Sequence, residues 1–550
     1  MSESILEIRN LTVDLPRGAD RTHAVSGVSL DLHRNEILCL VGESGSGKSV
    51  TARSVMGLLG QGLRASAGNV LFREEDLLRV APARLRELRG SQISMIFQEP
   101  MTALNPLKTI GDQIDEVIAV HTDMPRSKRV ARILERLEAV QLPEPQRLLR
   151  SYPHQLSGGQ RQRAMIAMAL ALEPVMLIAD EPTTALDVTT QAQILALIKS
   201  IQAQRQMGVL YITHDFGVVS EIADRVAVMQ HGKVVEYGAA RQVLNAPQHH
   251  YTRSLIRAIP SLVPAQRKRV DDAPAILSVI GLEKSYRSGA TLLGGKARIT
   301  HAARAVNLTL CRGETLGLVG ESGSGKSTVA RCLARLVEAD DGRILLGGID
   351  LRPLSRRQLR PYRKRIQMVF QDPYGSLNPR RTVGKLIAEG PMVHGMPERD
   401  ALARAGELLD LVGIERRAVG RYPHEFSGGQ RQRIGIARAL ALDPEVLVAD
   451  EPVSALDVSI QAQVLKLLAD IRDRLNLTML FITHDLRVAA QVCDSIAVMR
   501  YGEIVEYGST AQVFSTPRHA YTRELLAAVP GKELGVELAA LNGGERNDSP

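Results

Sequence analysis

Short apolar runs alternate with longer stretches of helical periodicity along this chain of 550 residues. The clearest runs are EILCLVG, VMLIAD and VLYITH in the first half, and ETLGLVG, VLVAD and MLFITH in the second. Continuous apolar runs of about four to eight residues are typical of strands buried on both faces, as in parallel sheets. With helical segments between them, they predict an α/β fold with a largely parallel sheet in each half.

The chain carries one long pattern twice. Ser427 follows Ser157 by 270 residues, and Glu451 follows Glu181 by the same distance. A period this long is far outside that of solenoid repeats and indicates a duplicated domain. We expect two such domains, a polar, proline-bearing linker and a loose tail. Their predicted bounds are 1–262 for the first domain, 263–276 for the linker, 277–532 for the second domain and 533–550 for the tail.

Each copy contains a stretch that fits the phosphate loop G-x-x-x-x-G-K-[ST], placed between a strand-like run and a helical one. The glycines of such a loop let backbone N–H groups face the phosphates. Its lysine would contact the β- and γ-phosphates, and its serine would hold Mg²⁺. The predicted nucleotide-binding residues here are Gly42, Glu43, Ser44, Gly45, Ser46, Gly47, Lys48, Ser49 and Val50, and Gly320, Glu321, Ser322, Gly323, Ser324, Gly325, Lys326, Ser327 and Thr328.

Two acids end an apolar run in each half, Asp180–Glu181 and Asp450–Glu451. A carboxylate at the carboxyl end of a strand can reach a Mg²⁺ ion beside a phosphate loop, and this role fits Asp180 and Asp450. The adjacent Glu181 and Glu451 are candidates to orient or deprotonate the attacking water. An isolated acid pair would more simply cap a helix or a turn, but beside a phosphate loop the chemical interpretation is favoured.

A histidine and a glutamine in each half also follow apolar runs. His214 and His484 each lie 34 residues after the aspartate of their half. A single strand-end histidine is usually structural, but this recurrence predicts that the pair senses the γ-phosphate. Gln98 and Gln371 follow SMIF and QMVF, and they are predicted to reach the metal or the attacking water.

LSGGQ at 156–160 and FSGGQ at 426–430 complete the pattern. On residue type, SGGQ is a turn whose serine caps the next helix, and a helix N-terminus also attracts anions. Together with the phosphate loops, these motifs resemble those of the ATP-binding-cassette (ABC) ATPases over residues 5–260 and 277–530. The resemblance implies two P-loop NTPase domains, each with a RecA-like core around a parallel sheet, a small antiparallel β region and a helical subdomain.

The resemblance also implies how the SGGQ signatures act. In the family, two cassettes face each other head to tail, and each ATP lies between one phosphate loop and the opposite signature. The first signature would close over the ATP held by Lys326, and the second over the ATP held by Lys48. TALD and SALD match the D-loop, which crosses the dimer interface in the family. The residues concerned are Ser157, Gly158, Gly159 and Gln160, Ser427, Gly428, Gly429 and Gln430, and the D-loop residues Asp187 and Asp457.

Two residues depart from the family pattern. Phe426 replaces the leading leucine of the second signature, an apolar exchange that leaves the phosphate contacts intact. The aromatic residue that stacks on adenine in the family corresponds to Tyr286 in the second half but to Leu15 in the first. We therefore expect aromatic stacking on the second ATP and not on the first. Neither half lacks its lysine, acids, signature serine or histidine, so both sites are expected to be competent.

Several stretches resemble the ATPases of oligopeptide and dipeptide importers, with two partner subunits fused in one chain. They are FQEPMTALNP, FQDPYGSLNPR, YPHQLSGGQ, YPHEFSGGQ, HHYTRSLIRAIPS and HAYTRELLAAVP. The last two resemble the extra C-terminal segment of this group, so each of the two domains is expected to end in a C-terminal extension. The resemblance implies an ATPase that uses ATP and Mg²⁺ to energise import of peptides or related small solutes. It leaves the cargo open, since relatives carry dipeptides, longer peptides, glutathione, peptide antibiotics, opines or nickel complexes. One subunit type of this group often carries an iron–sulfur cysteine cluster, and because no cysteine stands there in this chain we expect no such cluster.

The implied partners are two integral-membrane permease subunits and, indirectly, a periplasmic or extracellular solute-binding protein. We expect the permeases to dock on the segments after the two glutamines, at Met101, Asn105, Tyr374 and Asn378. The N-terminus lacks a signal-peptide pattern, and no apolar run is long enough to span a bilayer. We therefore expect a peripheral protein on the cytoplasmic face of the inner membrane.

A formal net charge of +9 and the stretch RRQLRPYRKRIQ leave one alternative, a soluble tandem cassette acting on ribosomes or nucleic acid. Translation-associated relatives carry a long charged linker, whereas the linker here is short. Excision-repair relatives carry zinc-binding cysteine clusters, whereas the four cysteines here are scattered. We therefore expect no nucleic-acid partner.

Overall fold

The computed structural model describes residues 3–184, 186–265, 273–288, 298–454 and 456–532. These residues form two compact units, one mainly from Met1–Leu186 and Thr190–Ile259 and the other mainly from Pro260–Val529. Residues 266–272 of the expected linker and the whole expected tail lie outside the described residues.

Strands and helices alternate along the first unit, as its apolar pattern predicts. Its strands are β1 Ser4–Asp14, β2 His23–His33, β3 Ile37–Val41, β4 Arg64–Phe72, β5 Glu75–Asp76, β6 Ile93–Ile96, β7 Met176–Asp180, β8 Gly208–Thr213, β9 Arg225–Gln230 and β10 Lys233–Ala239. Its helices are α1 Lys48–Val55, α2 Pro82–Leu88, α3 Pro100–Ala103, α4 Ile110–His121, α5 Arg126–Ala139, α6 Pro145–Leu148, α7 Gly158–Ala169, α8 Val188–Arg205, α9 Phe216–Ile222, α10 Ala240–Asn245 and α11 His250–Arg257.

The described strands of this unit form a six-stranded and a four-stranded sheet. The larger sheet has the order β10-β9-β3-β8-β7-β6, and its neighbours are parallel except for the antiparallel pair of β9 and β10. The smaller sheet has the order β2-β1-β4-β5 and is antiparallel. The predicted parallel core and the small antiparallel region are both confirmed.

The second unit repeats this arrangement. Its strands are β11 Ala275–Ser288, β12 Arg298–Cys311, β13 Thr315–Val319, β14 Asp341–Leu346, β15 Ile349–Asp350, β16 Ile366–Val369, β17 Val446–Asp450, β18 Thr478–Thr483, β19 Ser495–Arg500 and β20 Glu503–Ser509. Its helices are α12 Lys326–Leu333, α13 Arg356–Arg363, α14 Pro373–Ser376, α15 Val383–Val393, α16 Glu398–Leu411, α17 Gly428–Leu440, α18 Val458–Leu475, α19 Leu486–Val492, α20 Thr510–Ser515 and α21 Ala520–Ala527. The sheet orders β16-β17-β18-β13-β19-β20 and β12-β11-β14-β15 match those of the first unit strand for strand.

Both faces of the central strand β3 are buried, and this explains why its sequence is apolar throughout. Side chains alternate between the two faces of a strand. Ile37, Cys39 and Val41 join the core that contains the helical region, whereas Leu38 and Leu40 join the core shared with the antiparallel sheet. Because both faces are covered, a continuous apolar run is required here instead of an alternating one.

The helical region of each unit lies between the glutamine and the acid pair in sequence. In the first unit, Ile114 of α4, Leu137 of α5 and Ile166 of α7 are fully buried in one core. In the second unit, α15, α16 and α17 contribute residues to the corresponding core in the same way. This is the predicted helical subdomain. None of the described helices is both long and apolar enough to cross a bilayer.

The middle residue of the central strand differs between the units. Cys39 of β3 pairs with Val226 of β9, whereas Gly317 of β13 pairs with Ile496 of β19. A Cβ atom on Gly317 would lie 2.7 Å from Ile496 Cδ1 and 2.8 Å from Cys493 Sγ. In the second unit, the side chains of Ile496 and Cys493 therefore occupy the space that the Cys39 side chain occupies in the first.

We expect Gly317→Cys alone to lower the free energy of unfolding of the second unit by about 1–3 kcal/mol, because it overpacks a closed core. Adding Ile496→Val and Cys493→Ala copies the first unit's residues and should restore most of that loss. Urea unfolding followed by circular dichroism measures both effects. A triple variant no more stable than Gly317→Cys would contradict this account of the packing.

Candidate functional site

The phosphate loop of the first unit leaves β3 at Val41 and enters α1 at Lys48. The Lys48 side chain is buried, and its Nζ donates hydrogen bonds to the carbonyl oxygens of Gly42 and Glu43 at 2.7 and 2.9 Å. Ser44 and Gly45 lie on the exposed side of the loop. The loop thus surrounds its lysine and leaves its tip open to a ligand.

The second phosphate loop has the same geometry. Lys326 Nζ donates to the carbonyl oxygens of Gly320 and Glu321 at 2.8 and 2.7 Å. Burial lowers the pKa of Lys326, although the surrounding carboxylates oppose this shift. Val50 and Thr328, which follow the serines of the two loops, are half-buried in the first turns of α1 and α12. All the loop residues predicted from the sequence therefore lie together in each unit.

The serine of each loop contacts the aspartate that ends the neighbouring strand. Ser49 Oγ donates to Asp180 Oδ1 at 2.9 Å, and Ser327 Oγ donates to Asp450 Oδ1 at 3.0 Å. Burial raises the pKa of both aspartates; the serine hydrogen bond opposes this rise, and the adjacent glutamate adds to it. A hydroxyl and a carboxylate oxygen this close form the type of donor set that Mg²⁺ prefers, and the site fits that ion.

The glutamate next to each aspartate joins the other predicted residues of its unit. Gln98 Nε2 donates to Glu181 Oε2 at 2.9 Å, and His214 Nδ1 lies 3.3 Å from Glu181 Oε1. In the second unit, Gln371 Nε2 donates to Glu451 Oε2 at 2.8 Å, and His484 Nδ1 lies 3.1 Å from Glu451 Oε1. Glutamine, glutamate and histidine thus form one hydrogen-bonded cluster in each unit.

These clusters hold the glutamates ionised. Burial alone would raise the pKa of Glu181, but the hydrogen bond and charge of His214, with Lys48, lower it to about 2. The pKa of Glu451 is lowered in the same way by His484 and Lys326 against the effect of burial. Burial would lower the pKa of His484, but its contact with Glu451 raises it.

Both glutamates also have a strained backbone. Glu181 and Glu451 have φ angles of 46° and 47°, in the left-handed region that residues with a Cβ rarely adopt. Such strain costs about 1–3 kcal/mol and clusters at functional sites. The strained residue of each unit is the same glutamate that contacts the glutamine and the histidine.

The two signatures form capped helix starts. Ser157 Oγ accepts a hydrogen bond from the N–H of Gln160 at 3.3 Å, and the Gln160 side chain accepts from the N–H of Ser157 at 3.0 Å. Ser427 and Gln430 repeat this capping box at the start of α17. Both serines are exposed. The turn and the anion-attracting helix end are therefore the same feature, as the sequence suggested.

The remaining predicted residues lie around these sites. Asp187 accepts a hydrogen bond from the Thr189 hydroxyl at 2.8 Å, and Asp457 is the N-cap residue of α18. Tyr286 is exposed on β11, with Lys284 Nζ 5.6 Å from its ring centre.

Sequence reasoning missed four residues that contact the predicted ones. The Thr184 hydroxyl donates to Glu181 Oε2 at 3.0 Å, and its place three residues after the acid pair was the available signal. Arg21 donates to the carbonyl of Gly45. The hydroxyls of Tyr251 and Tyr521 contact the phosphate loops of their own units, although they lie about 200 residues away in sequence.

Known proteins match both halves of the chain. A family model described as ABC transporter matches residues 25–184 and 303–454, and one described as oligopeptide/dipeptide transporter, C-terminal region, matches 235–281 and 505–546. The glutathione import ATP-binding proteins GsiA of Shigella dysenteriae and Escherichia coli strain K12 are each 48% identical over 561 residues, spanning 96% of this chain and 90% of the relative. Among solved structures, the ATP-binding cassette MJ0796 bound to ADP and Pi is 29% identical over 42% of this chain and 98% of that one, with a TM-score of 0.39.

Alanine substitutions at two glycines of the second phosphate loop distinguish the effect of a steric clash on nucleotide binding from the effect of backbone strain. Both Gly323 and Gly325 have positive φ angles, of 80° and 111°. A Cβ on Gly325 would lie 1.9 Å from the carbonyl oxygen of Ala302, whereas a Cβ on Gly323 meets nothing within 4 Å. We expect Gly325→Ala to reduce the nucleotide bound per chain from about two to about one, because the second loop cannot close and the first is unchanged. Gly323→Ala pays only the dihedral strain of about 1–2 kcal/mol and should weaken binding less.

Equilibrium binding of a fluorescent ATP analogue gives the stoichiometry and the affinity of both variants. Equal binding by Gly325→Ala and Gly323→Ala would contradict the steric account.

Proposed function

This chain belongs to the ABC transporter family, and on that premise we propose that it is the fused ATP-binding subunit of an importer for peptides or related small solutes. It carries two ABC ATPase domains, and such domains hydrolyse ATP. The observation that carries the proposal is the joint match of both cassettes and both oligopeptide/dipeptide C-terminal regions to one chain. A soluble tandem cassette acting on ribosomes or nucleic acid has no comparable support.

In each unit, we propose that the phosphate-loop lysine binds the β- and γ-phosphates of ATP. Ser49 with Asp180, and Ser327 with Asp450, would hold Mg²⁺, which when bound neutralises phosphate charge. Gln98 and Gln371 stand close enough to the glutamates to complete that shell or to orient water. The support is the short serine–aspartate contact in both units and its oxygen donors.

Glu181 and Glu451 are the proposed groups that orient and deprotonate the attacking water. An ionised carboxylate accepts a proton, and the histidine contacts hold both glutamates ionised. We propose that the histidine beside each glutamate responds to the γ-phosphate, and its contact with the glutamate supports this role. The exposed signature serines, with the N-termini of α7 and α17, supply anion-binding groups for the nucleotide.

The proposed cargo is glutathione or another short peptide-like solute. Support comes from the 48% identity to proteins named glutathione import ATP-binding proteins and from the oligopeptide/dipeptide region in each half. Cargo selection belongs to other chains, a solute-binding protein and the permeases, so uptake by the whole complex must decide among glutathione, dipeptides and longer peptides.

The proposed partners are two permease subunits at the cytoplasmic face of the inner membrane. A cavity of about 750 Å³ in the second unit is lined by Phe370, Gln371, Glu389 and Arg438, among others, and so joins the site glutamine to the surface. In the first unit, Met101 and Leu107 expose 49% and 84% of their surface after Gln98. Exposed apolar side chains beside a nucleotide-linked glutamine suit a docked helix. The side chain of Tyr374, expected here too, lies outside the described residues.

A tagged chain purified from detergent-solubilised native membranes should bring down two multi-span permeases. We expect Met101→Asp with Leu107→Asp to abolish this recovery and solute uptake while basal ATPase activity stays, because the change replaces exposed apolar side chains with charged ones and leaves Lys48, Asp180 and Glu181 unchanged. Leu475→Asp is the control, since Leu475 exposes 51% of its surface but ends α18 and lies outside the segments that follow the two glutamines. Recovery of ribosomal proteins without permeases would overturn the importer proposal.

We expect Glu181→Gln and Glu451→Gln each to remove turnover at its own site, so the two single variants should lose similar shares of the ATPase activity and the double variant should lose on the order of a hundredfold or more, because both units place their glutamate alike. ATP binding should persist in both variants. Glu87→Gln is the control, since Glu87 is an exposed glutamate paired with Arg84. Steady-state ATPase assays measure the losses, and a variant that keeps near-normal turnover would show that its site is not required.

A further inference from the structure

A tyrosine that follows the last strand of each unit reaches back to the phosphate loop. In the first unit, the Tyr251 hydroxyl accepts a hydrogen bond from the N–H of Glu43 at 3.2 Å and donates to Glu43 Oε2 at 3.1 Å. In the second unit, the Tyr521 hydroxyl accepts from the N–H of Glu321 at 3.1 Å. Both rings are buried, with 6% and 1% of their surface exposed. The contact therefore links two parts of the unit through the core.

The segment that carries Tyr251 is itself fastened to the sheet. Glu236 of β10 accepts hydrogen bonds from the N–H groups of Gln248 and His249 at 2.7 and 3.2 Å. His249 then caps α11, because its Nδ1 accepts from the N–H of Tyr251 at 3.3 Å. These contacts fix the direction in which the tyrosine leaves the helix.

The second unit has the same anchors. Glu506 of β20 accepts from the N–H groups of Arg518 and His519 at 2.8 and 3.0 Å, and His519 Nδ1 accepts from the N–H of Tyr521 at 3.1 Å. The guanidinium of Arg500 also lies 4.4 Å from the centre of the Tyr521 ring. Recurrence of the whole arrangement in both units argues against an accidental contact.

The residue that each tyrosine holds is also the residue that its lysine contacts. The carbonyl oxygen of Glu43 accepts from Lys48 Nζ at 2.9 Å, and that of Glu321 accepts from Lys326 Nζ at 2.7 Å. The tyrosine thus holds the backbone N–H of the loop glutamate, and the carbonyl oxygen of that same glutamate accepts a hydrogen bond from the lysine. Burial raises the pKa of Tyr521, so its hydroxyl keeps its proton at neutral pH.

We propose that Tyr251 and Tyr521 are positioning residues for ATP binding: the C-terminal segment of each unit uses their hydroxyls to hold the phosphate loop, and hence its lysine, in the binding geometry. When the loop is already ordered before ATP binds, binding loses less free energy to ordering the loop, and the affinity for ATP is higher. Without the hydroxyl, the N–H of the glutamate loses its partner and the loop must be ordered by the nucleotide. This proposal needs only the ATPase activity and is independent of which solute is transported.

The test is Tyr251→Phe with Tyr521→Phe, which removes two hydroxyls and leaves the rings to fill the core. A single hydrogen bond contributes about 0.5–1.5 kcal/mol, and 1.4 kcal/mol corresponds to a factor of ten. We expect the KM for ATP, and the Kd of a fluorescent ATP analogue, to rise about three- to tenfold. Turnover at saturating ATP should stay within about twofold, because the glutamates, aspartates and lysines are unchanged.

Tyr237→Phe with Tyr507→Phe is the matched control. Those hydroxyls also bond within their units, but to Asp31 at 3.0 Å and to the carbonyl of Thr309 at 3.3 Å. Unchanged KM and Kd in the Tyr251/Tyr521 double variant would overturn the proposal. So would an equal rise in the control, or a lower midpoint of thermal unfolding with unaltered ATP affinity, since either would indicate a purely structural role.

Discussion

The register of the parallel strands is the constraint on which the site of each unit depends. In the first unit Val41 of β3 pairs with Thr213 of β8, and Asp180 of β7 pairs with Ile212 of the same strand. The phosphate loop, the histidine and the glutamate follow these strand ends directly. A shift by one residue would exchange the faces of the strand and move every one of these groups. Strands buried on both faces resist such a shift, so the apolar runs define the position of the chemistry.

The sites at the carboxyl ends of these strands contain two features that disfavour folding, buried carboxylates and a strained backbone, and the surrounding contacts offset both. Asp180 and Asp450 are buried carboxylates, and each is hydrogen-bonded by a serine from the phosphate loop. Glu181 and Glu451 adopt a left-handed backbone that disfavours any residue with a Cβ, and each is hydrogen-bonded by a glutamine and a histidine. Buried charge and backbone strain persist only where neighbouring groups stabilise them. The two sites are therefore built features and not surface accidents.

Local sequence was sufficient to predict the strands, the phosphate loops and the capped signature turns. Each depends on residues close in the chain: an apolar run, glycines at left-handed positions, or a serine three residues before a glutamine. It was not sufficient for contacts such as that between Gln98 and Glu181, which are 83 residues apart. The strained glutamate backbone also has no signature, because glutamate is not a residue type that favours positive φ. Tyr251 sits in a segment that its sequence identified as an extension, without indicating that the extension touches the phosphate loop.

Because the chain contains two copies of the same domain, comparing them shows which residues and contacts are the same in both and which differ. The core residue at the middle of the central strand differs, Cys39 in one unit and Gly317 in the other, and the neighbours differ to compensate. The position of Tyr286 has Leu15 as its counterpart. By contrast, the serine–aspartate, glutamine–glutamate, histidine–glutamate and tyrosine–loop contacts recur with nearly equal distances. Different combinations of side chains can fill the same core space, whereas a group that must contact a phosphate or a metal has to lie at one position. A unit released from catalysis would be free to lose those contacts first, and because neither unit has lost them, the comparison favours two working ATP sites over one working and one degenerate site.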